Sequence, residues 1–357
     1  MAGDWHSKIH EEPVFNAFVK LGHNVSRFSW HQYFELDQPK SRFRLFITRC
    51  QNKFLTGPLI AKLNRDFLAN VLERKPDVVF IYRGTHILPE TLREIKRQNP
   101  RLLLSGYNND DPFARGHPYW LWKFFIHSIP LYDTLFCYRP NNIREFQTKG
   151  AARVHLLMPW YNPEVHHPME LNAPEKIKYG CDVVFVGHHE PDDRAICLKL
   201  IERERIKLKI HGPGWEKSEI FKKTDPIRSV WGDEYSKALC GGKIALSFFS
   251  TLNRDVYTRR SFEIPATGTF MLSKYSQELS NIFKPGVEAD FFQSKEEMLE
   301  KIKYYLSHDE ERKRVARAGL DKVRSGGHDV ISRAQNVLKI LSEELMDGNI
   351  KKLSEGA

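Results

Sequence analysis

The stretch Ile244-Ala-Leu-Ser-Phe-Phe249, followed by Asn253-Arg-Asp-Val-Tyr-Thr-Arg-Arg-Ser-Phe-Glu-Ile-Pro-Ala-Thr-Gly-Thr-Phe-Met-Leu272, predicts a buried strand, a short helix and a second strand. The helix is expected to begin near Thr258, whose hydroxyl can accept a hydrogen bond from a free N–H of the first turn. Pro265 and Gly268 are expected to end it, because proline has no N–H to donate and glycine can leave a helix with positive φ.

Arg260 and Glu263 lie one turn apart near the start of this helix. A helix N-terminus carries partial positive charge and free N–H groups, which suit a phosphate, and an arginine adds a bidentate cation. Glu263 could accept hydrogen bonds from both hydroxyls of a ribose, so the pair together suits a nucleotide. The alternative is that Arg260 and Glu263 form a surface i,i+3 ion pair on an ordinary connecting helix.

The rest of the chain alternates between strands and helices in the same way, which implies parallel βαβ units. The predicted strands lie at 24–30, 76–82, 101–105, 133–138 and 154–157 in the first half, and at 183–186, 207–211, 244–249, 269–272 and near 290–292 in the second. A doubly wound domain normally opens with a strand, and here the first predicted element is a helix at 13–21. We therefore expect the first strand to be missing or reduced to a stub at the N-terminus.

Composition and proline content predict two domains. The 357 residues are enough for two domains of ordinary size, and residues 159–179 carry four prolines with little periodicity. The predicted organisation is a first domain at 1–160, a linker at 161–179, a second domain at 180–328, a final helix at 329–346 and a frayed tail at 347–357.

The motif Thr258-x-Arg260-x-Phe262-Glu263-Ile-Pro-Ala-x-Gly268 resembles the donor-site signature of the CgeB-like glycosyltransferases. The resemblance runs from about residue 3 to residue 340 and depends on the order and spacing of several pieces. These pieces are Asp182-Val-Val-Phe-Val-Gly187 with Arg194, Ile210-His-Gly-Pro-Gly-Trp215, Pro130-Leu-Tyr-Asp133, Asn142-Ile-Arg-Glu-Phe146, Gly150-Ala-Ala-Arg-Val154 and Pro163-x-x-x-His167-Pro168.

The resemblance implies an α/β protein of the GT-B fold, with two Rossmann-like domains that face each other across a cleft and a C-terminal helix that crosses back to the first domain. It implies transfer of a sugar from a nucleotide-diphosphate sugar to an acceptor hydroxyl of a glycan, a lipid-linked molecule or a protein. The implied donor-binding residues are Gly187, Arg194, Gly212, Tyr257, Thr258, Arg260 and Glu263.

Four residues in the first half are candidates for the catalytic base. Asp4 and His6 lie in the first loop, nearest the expected strand stub, and could deprotonate the acceptor hydroxyl. Asp110 and Asp111 follow a predicted strand and could bind sugar hydroxyls or act as a base. The alternatives are ordinary polarity of a solvated loop for the first pair and an Asp-Pro turn for the second.

We expect neither a metal nor another cofactor. His188 and His189 are adjacent, so their side chains point in different directions, and no third ligand is placed by spacing. The five cysteines are scattered without a CxxC pair, which is typical of buried thiols in a reducing compartment.

The net charge of +10 suggests nucleic acid, anionic lipid or a phosphorylated substrate as partner, or simply a solvated basic face. No nucleic-acid-binding motif is present, so we expect no nucleic acid partner.

The sequence has no apolar run long enough to cross a membrane, and we expect a cytoplasmic protein. Trp120, Trp122, Phe124 and Phe125 could form a membrane-facing patch. Trp122 and Phe125 are more typical of a core, but Lys123 among them leaves open peripheral contact with the inner face of the membrane.

Two other functions fit parts of this pattern. A sugar-nucleotide epimerase shares the GT-B architecture and would act on the donor alone. A non-catalytic basic binding protein would show strongly salt-dependent binding to nucleic acid or anionic lipid and indifference to nucleotides.

Overall fold

A computed structural model describes residues 1–35, 41–221 and 227–355. The chain divides into two compact units, the first formed by Met1–Met158 with the C-terminal segment from Ile331, and the second by Pro159–Val330. Each unit is a parallel sheet with helices in the connections.

In the described part of the first unit, six strands pair in the order β2-β1-β3-β4-β5-β6. The strands are β1 (Ala2–Gly3), β2 (Phe28–Ser29), β3 (Val78–Tyr82), β4 (Leu103–Asn108), β5 (Thr134–Cys137) and β6 (Val154–Leu156). The helices are α1 (Glu11–Lys20), α2 (His31–Phe34), α3 (Arg42–Phe54), α4 (Pro58–Arg74), α5 (Pro89–Gln98), α6 (Tyr119–Ser128) and α7 (Pro140–Thr148).

In the described part of the second unit, five strands pair in the order β11-β10-β9-β7-β8. The strands are β7 (Cys181–Val186), β8 (Leu208–His211), β9 (Gly242–Ser247), β10 (Phe270–Lys274) and β11 (Asp290–Phe292). The helices are α8 (Ala173–Tyr179), α9 (Arg194–Arg203), α10 (Asp233–Cys240), α11 (Arg260–Ala266), α12 (Gln277–Ile282), α13 (Lys295–Ser307) and α14 (Asp309–Ser325). The final helix, α15 (Val330–Glu355), follows them.

Both sheets are covered on their two faces, which explains why their central strands are nearly continuous apolar runs. In β3 the side chains from Val79 to Tyr82 are all buried, and in β7 so are those from Val183 to Val186. The α/β class with two parallel sheets, predicted from the alternation of elements, is therefore confirmed.

The N-terminal strand is a stub of two residues. Ala2 in β1 nevertheless pairs in parallel with Phe28 on one side and with Ile81 on the other. The residues after it, from Asp4 onward, leave this strand at the carboxyl edge of the first sheet.

The C-terminal helix α15 packs on the first unit. The Glu344 carboxylate accepts a hydrogen bond from the Thr134 hydroxyl of β5 and lies 3.5 Å from an Arg153 guanidinium nitrogen. The helix continues to Glu355 through most of the segment expected to be a frayed tail. The segment 161–179, interpreted as a linker, contains α8, whose N-terminus is closed by a capping box between Asn172 and Glu175.

Candidate functional site

Three loops meet at the carboxyl edge of the second sheet, because the strands β7, β8 and β9 that lead into them are parallel neighbours. Gly187 follows β7, and its N–H donates to the His211 carbonyl at 2.8 Å. Gly212 follows β8 with φ +138°, and a Cβ built there would lie 2.1 Å from the Gly187 carbonyl oxygen. Only glycine tolerates that conformation and that approach, so the two predicted donor-site glycines pack backbone against backbone.

Arg260 lies against Gly187. Its guanidinium carbon is 5.9 Å from the centre of the Phe185 ring, and its Nη1 atom is 3.3 Å from the position that a Gly187 Cβ would occupy. The Arg260 Nε atom is buried and has no hydrogen-bond partner within the described chain. The same holds for the Thr258 hydroxyl, two residues before it. Buried polar groups are normally paired, so these two are candidates for contact with a ligand.

The start of α11 differs from the prediction. Thr258 does not cap the helix, because α11 begins at Arg260, Arg259 stands in the N-cap position and no side chain caps it. The Thr258 N–H instead donates to the Ser261 hydroxyl at 3.1 Å, which leaves the Thr258 hydroxyl unused. Pro265 lies inside the helix rather than ending it, while Gly268 leaves the helix with φ +73°, as predicted.

Glu263 is only 7% exposed, and within the described residues it makes no ion pair with Arg260, so the alternative of a surface ion pair does not hold. Its Oε2 accepts a hydrogen bond from the Tyr235 hydroxyl at 2.5 Å, and its Oε1 lies 3.8 Å from Nε2 of His166. His166 Nδ1 accepts the Asn162 N–H at 2.9 Å, so the ring proton of the neutral form is on Nε2 and faces Glu263.

Burial determines how these partners of Glu263 ionise. It lowers the pKa of His166, although the Glu263 carboxylate opposes this shift. Burial, together with the same carboxylate, raises the pKa of Tyr235 well above its usual value. At neutral pH the imidazole and the phenol are therefore both neutral, and the carboxylate accepts one hydrogen bond from the phenol with the imidazole nearby at 3.8 Å. The sequence did not single out His166 or Tyr235, because each lies far from Glu263 along the chain.

Arg194 is buried and braces the loop after β7. Its Nε and Nη2 donate to the two oxygens of Asp192 at 2.7 and 2.8 Å, and its Nη1 donates to the His188 carbonyl at 3.0 Å. Nη2 also donates to the Phe249 carbonyl at 3.1 Å, which ties this loop to the end of β9. The geometry gives Arg194 a positioning role behind the site.

Two further side chains complete this region. Tyr257 is buried and packs edge-on against Phe262, with ring centres 6.4 Å apart. Glu190 accepts hydrogen bonds from His188 at 2.8 Å and from the Ser250 hydroxyl at 3.1 Å. Burial alone would raise the pKa of Glu190, but the bond from His188 and the nearby guanidinium of Arg194 outweigh it and hold that pKa below its usual value.

In the first unit, Asp4 and His6 lie just after β1. The Asp4 carboxylate is 3.6 Å from Nδ1 of His31, and the His6 and His31 rings are 4.5 Å apart, so His31 joins the two predicted residues. The Asp4 N–H donates at 3.0 Å to Glu11, a buried carboxylate whose pKa is raised by burial. These side chains form a small titratable cluster beyond the strand stub.

Asp110 and Asp111 follow β4 but point to different surroundings. Asp110 forms a 2.7 Å ion pair with Arg83 and is partly exposed. Asp111 is fully buried, and its Oδ1 accepts from the Asn142 side chain at 3.0 Å and from the Phe113 N–H at 3.1 Å. Asp111 therefore closes a turn, which is the alternative that the Asp-Pro sequence left open.

The remaining predictions concern a bound metal ion and contact with a membrane. Within the described ranges, no group of three or more His, Cys, Asp or Glu side chains is arranged to hold a metal ion. Trp122 and Phe125 are buried, as their core interpretation predicted, whereas Trp120 is exposed. None of the described helices combines the length and the apolarity needed to cross a membrane.

The sequence and the fold were compared with known proteins. Residues 194–339, less than half of the chain, match a family model described as glycosyl transferase-like, and this range contains Thr258, Arg260 and Glu263. No curated protein has a sequence that matches the chain significantly.

Solved structures resemble the whole chain at low sequence identity. Sucrose-phosphate synthase from Thermosynechococcus elongatus is similar with a TM-score of 0.68 and 10% identity, over 97% of this chain and 99% of that one. HepE from Anabaena, in complex with UDP and glucose, is similar with a TM-score of 0.59 and 12% identity, over 92% of this chain and 88% of that one. A UDP-N-acetylglucosamine 2-epimerase from Listeria monocytogenes, itself assigned only provisionally, is similar with a TM-score of 0.52 and 11% identity, over 95% and 94% of the two chains.

These similarities extend over both units and reproduce the two parallel sheets. At such low identity they establish the fold alone. The chain therefore has the α/β architecture of the GT-B fold, and a glycosyl transferase-like segment makes up most of its second unit.

Proposed function

We propose that the protein is a glycosyltransferase that moves a sugar from a nucleotide-diphosphate sugar to an acceptor hydroxyl. The observation that carries the proposal is the pair of buried, unpartnered groups, Arg260 Nε and Thr258 Oγ1, with the Arg260 guanidinium against the backbone of Gly187. Each unpaired buried group costs ~1–3 kcal/mol, and a bound diphosphate would relieve both costs. The glycosyl transferase-like match across these residues, and the UDP bound to HepE, support the same interpretation.

Arg260 is assigned to the diphosphate. Its guanidinium is fixed by the Phe185 ring and faces the backbone of Gly187, where the absence of a side chain lets a phosphate approach. The leaving diphosphate gains negative charge as the sugar–oxygen bond breaks, so a fixed cation there stabilises the transition state more than the bound substrate.

Glu263 is assigned to the ribose. A carboxylate offers about four lone-pair directions, and the Tyr235 hydroxyl occupies one of them, with the His166 Nε2 atom 3.8 Å away. Lone pairs therefore remain that can accept the ribose hydroxyls. Tyr235 and His166 act as positioning residues, because they fix the carboxylate without contacting the nucleotide.

The acceptor side is assigned to the cluster after β1. Asp4, His6 and the neighbouring His31 are the candidates for the base that takes the acceptor proton. Asp110 and Asp111 are weaker candidates, since Arg83 pairs with the first and the second is buried in a turn. The proposed reaction needs no bound metal, because Arg260 supplies the charge at the leaving group, and the acceptor is a glycan, a lipid-linked molecule or a protein.

Nucleotide titration tests the donor site. Calorimetric titration with UDP, GDP, dTDP and CMP should reveal binding of at least one of them to the wild-type protein. Glu263→Gln keeps the shape but loses the charge and one acceptor, so affinity should fall by roughly 10- to 100-fold, or ~1.4–2.8 kcal/mol. The melting temperature should stay close to that of the wild type.

Glu300→Gln, an exposed carboxylate on α13, is the matched control and should bind nucleotide like the wild type. Unchanged affinity in Glu263→Gln would remove the ribose assignment, and no binding of any of the four nucleotides would remove the proposal itself.

An epimerase is the second candidate, because the Listeria epimerase shares the fold over nearly the whole chain. It would convert a nucleotide sugar to an isomer of the same mass without any acceptor. Mass spectrometry and chromatography of nucleotide sugars incubated with the protein alone distinguish the two activities. A non-catalytic basic binding protein would instead bind polyanions in a strongly salt-dependent way and ignore nucleotides.

A further inference from the structure

Helix α3 packs on the first unit through one narrow face. Along Arg42–Phe54, Thr48 is the buried side chain, while Leu45 and Asn52 on the same face are half-buried. These residues recur at intervals of three and four, so they form a single stripe on the helix. Leu55, which follows the helix, is buried at the end of this stripe.

The opposite face of α3 is apolar and points away from the unit. Phe43 is 72% exposed and Phe46 65%, and Ile47 and Phe54 are exposed as well. A surface helix normally turns its apolar stripe toward its own core and leaves a polar stripe outside. In α3 the apolar stripe faces solvent instead of the core. Packing within the unit therefore does not explain this exposed apolar face.

Two aromatic side chains of α6 extend this apolar face. The Trp120 ring lies 5.8 Å from that of Phe54, and Tyr119 beside it is 71% exposed. Lys123 Nζ donates to the Phe54 carbonyl at 3.2 Å and so ties the end of α3 to α6. We call the six side chains Phe43, Phe46, Ile47, Phe54, Tyr119 and Trp120 the apolar surface.

A row of cations borders the apolar surface. Arg42, Arg49 and Lys53 recur at intervals of seven and four along one edge of α3, and Arg44 lies on the other edge. Within the part of the chain that the structure describes, none of these four cations pairs with a carboxylate. Lys40, which the sequence places in the same basic cluster, lies outside the described residues.

We propose that the apolar surface and its cations lie on an anionic lipid bilayer. Phenylalanine and isoleucine side chains would enter the boundary between headgroups and acyl chains, and the flanking arginines and lysine would meet the lipid phosphates. Tryptophan and tyrosine are typical of that boundary, which suits Trp120 and Tyr119 at the edge of the surface.

A nucleic acid is a poorer match for this surface. In proteins that bind single-stranded nucleic acid, the bases stack on aromatic rings that line a basic groove. Here the apolar side chains are exposed on the outward face of a helix, and they include the aliphatic Ile47. The proposal is independent of the nucleotide-sugar proposal, because α3 and α6 lie in the first unit and the donor-site residues lie in the second.

Vesicle co-sedimentation tests the proposal with the full-length protein. Wild-type protein should sediment with vesicles that contain phosphatidylglycerol and remain in solution with pure phosphatidylcholine vesicles. The variant Phe43→Ser/Phe46→Ser should partition at least about tenfold less, or ~1.4 kcal/mol, because it no longer offers two phenylalanine rings for burial in the bilayer. The variant Arg42→Gln/Arg49→Gln/Lys53→Gln should partition about 100-fold less, which corresponds to ~1 kcal/mol for each cation.

The control variant Arg203→Gln/Lys207→Gln/Lys217→Gln removes the same charge from exposed positions of the second unit and should sediment like the wild type. Circular dichroism and the melting temperature establish that each variant is folded. Equal sedimentation of all variants, or no binding to anionic vesicles, would overturn the proposal. So would tighter binding to single-stranded RNA than to vesicles, or a dimer in solution that Phe43→Ser/Phe46→Ser dissociates, since a second copy would then cover the apolar surface.

Discussion

At the carboxyl edges of the two sheets, the candidate site residues differ in whether they have hydrogen-bond or ion-pair partners within the protein. In the second unit, Arg260 Nε and Thr258 Oγ1 are buried without a partner inside the described chain. In the first unit, the Asp111 carboxylate is just as buried but accepts two hydrogen bonds from its own unit, and Asp110 pairs with Arg83. In the second unit the unpartnered groups thus belong to the residues of the sequence motif itself, whereas in the first unit the two candidate carboxylates are partnered and the unpartnered groups lie on neighbours such as Arg83 Nε and Asn108 Nδ2.

The difference separates binding groups from structural groups. A buried donor without a partner destabilises the folded protein by ~1–3 kcal/mol, so its retention suggests that a ligand pairs with it. A buried carboxylate that accepts hydrogen bonds from its own turn, as Asp111 Oδ1 does from the Asn142 side chain and the Phe113 N–H, stabilises that turn. Mutations at the edge of the second sheet should accordingly lower activity, and mutations at the edge of the first sheet should lower stability.

The largest effect is expected at Arg260. Arg260→Gln removes the fixed cation beside Gly187, and loss of one such transition-state donor typically lowers kcat by about 10²–10³-fold. The measurement is kcat/KM for sugar transfer, or the rate of donor hydrolysis when no acceptor is known. The melting temperature should not fall, because the guanidinium Nε has no protein partner to lose.

Arg259→Gln is the matched control, since Arg259 is adjacent but stacks at 5.5 Å over the Trp160 ring instead of facing Gly187. It should keep most of the activity. A comparable loss in both variants would mean that general positive charge matters and that the position of Arg260 does not.

The sheets could be predicted from the sequence because buried parallel strands contain continuous apolar runs, such as 78–82 in β3 and 183–186 in β7. The orientation of helix α3 could not, because its apolar residues Phe43, Phe46 and Ile47 recur at helical spacing but face outward, while Thr48 faces inward. The predicted pattern of an amphipathic helix assumes that apolar residues point to the core.

The proposed donor site could be suggested from the sequence where its residues are close together along the chain, as Thr258, Arg260 and Glu263 are. Its two other members were not. His166 belongs to a proline-rich stretch interpreted as linker, and Tyr235 belongs to α10, so only the fold brings them to Glu263. Similarly, Asp110 and Asp111 look alike in sequence, and only the structure separates the ion-paired carboxylate from the buried one.

Asp111 tests whether the carboxylate at the edge of the first sheet contributes to stability. Asp111→Ala leaves the buried Phe113 N–H and an Asn142 N–H without their acceptor, so the free energy of unfolding should fall by ~2 kcal/mol. Nucleotide affinity should be unchanged. Urea denaturation and calorimetry measure the two quantities, and Asp111→Asn, which keeps one acceptor oxygen, should recover part of the lost stability. Reduced activity of a fully folded Asp111→Asn protein would instead favour a catalytic role for this residue.

A smaller effect is expected at Tyr235. Tyr235→Phe removes the 2.5 Å hydrogen bond to Glu263 and lets the carboxylate turn, so nucleotide affinity should fall by up to about tenfold, or ~1.4 kcal/mol. The affinity for a nucleotide that lacks both ribose hydroxyls should not change, because that ligand makes no use of Glu263. A Tyr235→Phe protein that loses affinity equally for both ligands would show that the hydroxyl acts by another route.

The smallest effect concerns pH and involves His166. An unfolded histidine has a pKa of ~6.5, and burial lowers the pKa of His166 in the folded protein. Below pH ~6.5 the unfolded chain therefore binds a proton that the folded chain does not, so this contribution to stability is present above that pH and is lost as the pH falls.

The variant His166→Gln cannot titrate at this position, and its free energy of unfolding should decline less on acidification than that of the wild type. Urea denaturation on both sides of pH 6.5 measures the difference, with the exposed His308→Gln as a control that should follow the wild type. If His166→Gln and the wild type lose equal stability, burial does not lower the pKa of His166. If the wild type loses less stability than His166→Gln, His166 is a charged partner of Glu263 in the folded protein.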